Sequence, residues 1–76
     1  MDDPTAWRDL PWLTSKRGNP YIDIFGMTIS INPRGDRWGF CIVKGRGGAV
    51  KRWSPTTYDS PDFAKAVAYR VALTMR

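Results

Sequence analysis

Six cations crowd into residues 34–52: Arg34, Arg37, Lys44, Arg46, Lys51 and Arg52, against Asp36 alone. That stretch carries the same +5 as the whole 76-residue chain, so the basic excess is concentrated rather than spread. Arginine and lysine clustered on an extended segment form a surface suited to phosphate. Glycines are interleaved with them. Gly39 would let a partner approach the backbone closely, while Arg34 in NPRGD and Arg46 in KGRGG sit in turn-forming runs, where guanidinium and free N–H groups can meet phosphate together. GRGG lacks the lysine and hydroxyl of a nucleotide-binding P-loop, which argues against a mononucleotide site.

Other chemistries lack their residues. The chain has no histidine, and its seven acids are all aspartates: Asp2, Asp3, Asp9, Asp23, Asp36, Asp59 and Asp62. Asp59 and Asp62 are accounted for by a helix start, Asp36 by a turn, Asp2 and Asp3 by a terminal tail, and a lone strand residue such as Asp23 pairs with a neighbouring cation more often than it catalyses. General acid–base work has no candidate, and Cys41, the single cysteine, has no base beside it to make it a nucleophile. One cysteine allows no internal disulfide and no zinc site. The expectation is a protein that is not an enzyme, with no catalytic residues, metal or cofactor. The acidic start MDDPT is unlike a signal peptide, and no apolar run approaches the roughly 20 residues of a membrane span. A cytoplasmic protein without a membrane partner is expected, as monomer or homodimer.

The elements that must position the cations are legible in the pattern. Residues 1–19 are polar and broken by Pro4, Pro11 and Gly18, reading as an N-terminal arm. Its Trp7 and Trp12 either fold back over the core or await a partner. Residues 20–76 read as one domain. YIDIF is β-prone; Met27, Ile29 and Ile31 alternate with Thr28, Ser30 and Asn32; NPRGD is a turn; RWGFCIVK and AVKRW flank the GRGG turn. Ser60, Pro61 and Asp62 then form a helix start, predicting a helix over 61–75. The fold class expected is α+β: a small antiparallel sheet of three to four strands packed against one C-terminal helix.

Alternation divides the central strand. Trp38, Phe40 and Ile42 point to the helix, whose facing stripe at 100° per residue is Phe63, Ala64, Val67, Ala68, Val71 and Met75. Arg37, Gly39, Cys41 and Val43 point away. A second stripe, Ala66, Tyr69 and Leu73, can take the arm or a partner. A smooth basic ribbon suits the major groove of duplex DNA, which is about 12 Å wide.

Residues 36–73 carry a tryptophan-bearing strand, a glycine turn, a strand ending in an aromatic, the connector TYDS and an alanine-rich helix with AVAY. In this they resemble the three-strand-plus-helix unit of the plant ethylene-response-factor DNA-binding domain and of the arm-type DNA-binding domain of phage tyrosine integrases. The resemblance implies that the sheet enters the major groove, with Arg37, Gly39, Cys41, Lys51 and Arg52 facing DNA and Trp38, Phe40, Val67 and Val71 in the core.

The expected function is that of a small basic nucleic-acid-binding protein of phage or mobile-element type. It would contact duplex DNA through Arg34, Arg37, Gly39, Lys44, Arg46, Lys51 and Arg52. The alternative is a small phage-encoded inhibitor or adaptor of the anti-defence kind, meeting an acidic surface on a host protein or nucleoprotein complex through Trp7, Trp12, Tyr69 and Leu73.

Overall fold

The computed structural model describes residues 6–48 and 50–76, apart from the Arg46 side chain. Five strands form one antiparallel sheet in sequence order: β1 (Leu13–Thr14), β2 (Pro20–Ile24), β3 (Met27–Arg34), β4 (Arg37–Lys44) and β5 (Val50–Trp53). Helix α1 (Pro61–Met75) packs across one face. The sheet is wider than the three to four strands expected, because the arm supplies β1, in which Leu13 lies opposite Tyr21 and Thr14 opposite Pro20. Two residues are too few for alternation to register. Their pairing is held by the turn between them, where the Ser15 N–H donates to Asn19 O at 2.8 Å and the Ser15 hydroxyl accepts from the Asn19 N–H at 3.1 Å.

The hairpins follow from the turn residues. Between β2 and β3, Phe25 and Gly26 both take positive φ, 57° and 70°. Two left-handed residues give a two-residue loop whose twist matches the strands. For Phe25 that backbone is strained, and its ring is fixed by stacking on Tyr69, centroids 6.3 Å apart, and by the Arg76 guanidinium 4.8 Å from its centroid. Between β3 and β4 the loop is Gly35–Asp36, so Pro33 lies inside β3, opposite Trp38. Proline is tolerated there because Trp38 directs its N–H and C=O away from β3, to Tyr58, at 2.9 and 2.7 Å.

The core is the helix-facing half of the sheet. Ile29, Ile31, Phe40 and Ile42 are completely buried with Ala64, Ala68 and Ala72. Each buried isoleucine or phenylalanine contributes roughly 1.5–3 kcal/mol relative to exposure. The helix starts as its sequence predicts: the Ser60 hydroxyl accepts from the Phe63 N–H at 3.1 Å, with Pro61 in the first turn. Its core-facing stripe is the expected one except that Phe63 lies outside it and Ala72 inside. Alanines 64, 68 and 72, spaced i, i+4, i+8, bring the helix close to large sheet side chains, and Val67, Val71 and Met75 flank them. Phe63 is thereby left 54% exposed, stacked on Tyr58 at 5.2 Å between centroids. No helix among the described residues is long and apolar enough to cross a membrane.

Candidate nucleic-acid interface

Register sorts the face of the sheet away from α1 into rows. Tyr21, Ser30, Cys41 and Trp53 lie side by side across four strands, with Leu13 beyond Tyr21. On one side of that row stand Asp23, Thr28, Val43 and Lys51; on the other, Asn32 and Gly39, then Arg34 and Arg37. The floor is small and polar, while the ends are aromatic and cationic. Trp53 is 55% exposed, and the Arg34 guanidinium lies over its ring, 5.3 Å from the centroid.

Gly39 makes room for this arrangement. A Cβ there would stand 2.8 Å from Ser54 Oγ and 3.4 Å from Arg34 Cγ. Ser54 Oγ accepts from the Phe40 N–H at 3.2 Å, and the Ser54 N–H donates to Phe40 O at 2.9 Å. The chain therefore turns off β5 tightly against β4, and the Arg34 stem crosses Gly39 to reach Trp53. Two hollows open on the same face. One, of about 430 Å³, is lined by Arg34, Trp53, Ser54, Pro55, Thr56 and Thr57; the other, of about 330 Å³, by Ser15, Lys16, Arg17, Asn19, Pro20, Tyr21, Ser30 and Asn32.

Of the seven residues expected to meet DNA, Arg34, Gly39 and Lys51 share this face. Arg37 points to it but is engaged: its guanidinium donates to Asp59 Oδ1 at 2.6 Å and Thr57 O at 2.8 Å, and its Nε to Thr57 Oγ1 at 2.7 Å, tying the connector before α1 to the β4 start. Lys44 and Arg52 lie on the opposite face. Lys44 sits opposite Met27, and its ammonium donates to Met75 O, at the negative end of the helix dipole. Arg52 sits opposite Ile42 and shares a hollow with Lys44, Thr74 and Met75. Strand alternation forces the separation of Lys51 from Arg52, since neighbours in a strand cannot share a face. Arg46 lies in a 3-10 turn at Arg46–Gly48, with its side chain outside the described part.

The residues expected to meet a protein partner also divide. Tyr69 is buried, 5% exposed, and belongs to the core rim rather than to a docking stripe. Leu73 is half-buried on α1. Trp12 packs on the core, its Nε1–H donating to Trp7 O at 2.8 Å, with the Lys65 ammonium 5.4 Å from its ring centroid. Trp7 lies in a 3-10 turn, Ala6–Asp9, against α1. The arm thus folds back over the helix.

The aromatic members Tyr21 and Trp53 and the cations Lys16 and Arg17 were not singled out by residue type. Trp53 was legible in principle, because it follows Lys51 by two and so shares its face. No family model, curated protein or solved structure matches this chain. Function is therefore carried by the face itself. At its centre Cys41 is 7% exposed, and burial pushes its thiol above the ordinary value of 9.0, outweighing the opposing pull of Lys51 and Arg34. A protonated, recessed thiol is floor rather than nucleophile.

Proposed function

We propose that this protein binds nucleic acid through the open face of its sheet. The observation that supports this most is the Arg34–Trp53 stack beside Lys51, on a face that no element of the described chain covers. Lys16 and Arg17 add positive charge at the β1–β2 end. Cations at both ends of a polar floor can grip phosphates while side chains reach base edges. Among the described residues no acid–base pair or reactive thiol accompanies them, so binding without chemistry is the reading, and the lone thiol suits the reducing cytoplasm.

The test is fluorescence anisotropy with labelled mixed-sequence DNA, single-stranded and duplex, at about 50 and 200 mM salt. Four phosphate-neutralising cations give a log–log salt slope near −2.8 on single strands and −3.6 on duplex, an affinity loss of about 50- to 150-fold over that range. Replacing Arg34 and Lys51 with alanine lowers affinity and flattens the slope. Absence of binding at low salt, or binding indifferent to both substitutions, overturns the proposal.

A second reading has one observation of its own. Trp7, Trp12, Phe63 and Val67 line a groove of about 830 Å³ between the arm and α1, rimmed by Arg8, Lys65 and Arg70. An exposed Phe63 and two half-buried indoles among three cations and the single carboxylate of Asp62 suit an acidic protein surface. In that case association is far less salt-sensitive, and Phe63→Ala weakens it while the Arg34 and Lys51 substitutions do not.

A further inference from the structure

We infer that the nucleic acid held on this face is single-stranded, with a base stacked against the Arg34–Trp53 pair and the strand running across the sheet toward Tyr21. This rests on the nucleic-acid reading above and names the class of ligand.

The first reason is the aromatic itself. An indole 55% exposed, with a guanidinium 5.3 Å from its ring centroid, offers a base an aromatic surface to stack on beside a cation. In a duplex each base face is already covered by its neighbours, so Trp53 would find only base edges and sugar. A single strand can turn a base outward and lay it there.

The second reason is width. Five strands at about 4.8 Å spacing put β1 about 19 Å from β5, wider than the roughly 12 Å major groove. Lys16 and Arg17 in the β1–β2 turn and Lys51 on the opposite edge strand cannot enter one groove together. They can flank a flexible strand lying across the sheet.

The third reason is the floor. Tyr21 and Trp53 are three strand spacings apart, about 14 Å. Successive stacked bases are about 3.4 Å apart, so bases meeting these two rings belong to non-adjacent nucleotides of a splayed strand. Between them Ser30 and Asn32 present polar side chains, and Gly39 and Cys41 keep the surface low. The hollow beside Trp53 adds Ser54, Thr56 and Thr57, able to bond base edges or phosphate. Among the described residues, Asp23 is the only carboxylate in these rows; it accepts from the Thr28 hydroxyl at 2.6 Å, near the β2–β3 turn and away from this path.

The experiment compares the same mixed sequence of about 15 nucleotides as single strand and as duplex, by anisotropy at low salt. It uses the full chain and its Trp53→Ala, Trp53→Phe and Arg52→Ala variants, with thermal melts confirming each fold. The expected result is single-strand binding at least tenfold tighter than duplex binding. Trp53→Ala should weaken it by about 5- to 150-fold, Trp53→Phe should recover most of the loss, and Arg52→Ala, which removes the same charge from the opposite face, should leave affinity unchanged. Duplex bound as tightly as single strand, or single-strand affinity untouched by a folded Trp53→Ala variant, overturns the inference and leaves the nucleic-acid reading standing. Binding to neither form overturns both. Should Trp53→Ala unfold, the single-strand to duplex ratio of the unaltered protein decides.

Discussion

Gly39 is where a single atom has the largest consequence. The missing Cβ leaves space for Ser54 Oγ, which in turn serves the Phe40 N–H, so an alanine must push aside a hydroxyl already in use. Gly39→Ala is expected to destabilise by about 1–3 kcal/mol in urea unfolding. Ser54→Ala alone costs about 1 kcal/mol for the lost bond. Since both act through the same contact, the double variant should cost less than the sum of the two. Purely additive losses would show that the close approach is not what fixes glycine there. Cys41 makes a prediction about pH. Its thiol is held above 9.0 in the folded protein, so the folded state keeps a proton that the unfolded chain releases. The resulting stability is fully present below pH 9.0 and is lost as pH rises through the folded value. The unaltered protein should therefore lose stability more steeply above pH 9.0 than Cys41→Ala.

At the scale of elements, the helix is fixed at both ends and thin in the middle. Ser60 caps the first turn, and Lys44 reaches from β4 to the last carbonyls. Ser60→Ala should cost about 1 kcal/mol, read from the shift in urea midpoint. The alanine stripe sets the distance between layers. Ala68→Leu places extra carbons against completely buried Ile and Phe side chains and should destabilise by about 1–3 kcal/mol. A substitution without effect would mean that the layers can separate freely. Helix periodicity shows that some face is buried, but Phe63 and Ala64 differ by only one step of rotation. The choice between them depends on how bulky the opposing sheet is.

For the whole molecule, the arm completes a small core. In a chain of this size every apolar anchor is a sizeable part of total stability. Trp12 packs on the core from outside the main sheet, so Trp12→Ala should lower stability by about 1–3 kcal/mol, half-buried as it is, while nucleic-acid affinity of the folded fraction stays unchanged. A loss of binding without loss of stability would instead make the tryptophan a partner anchor. The division of labour is spatial. One face of the sheet carries the helix together with Lys44 and Arg52; the open face carries Arg34, Lys51 and the exposed Trp53.

Much of this was determined by sequence alone. Local rules governed the strand alternation of Met27–Ile31 and Arg37–Lys44, the cap at Ser60 and the glycine turns, and they act within a few residues of chain. The charge of residues 34–52 was equally local, and it located the basic region without apportioning it. Only the tertiary structure decided which cations share a surface: Lys51 and Arg52 part because strand neighbours face opposite ways, Arg37 is claimed by Asp59 and Thr57 some twenty residues on, and Lys44 by the end of the helix. The Arg34–Trp53 stack and the recruitment of residues 13–14 as a fifth strand likewise join distant stretches of chain. Such pairings are fixed by register and by the turn off β5 at Ser54, where long-range packing rather than local preference sets the geometry.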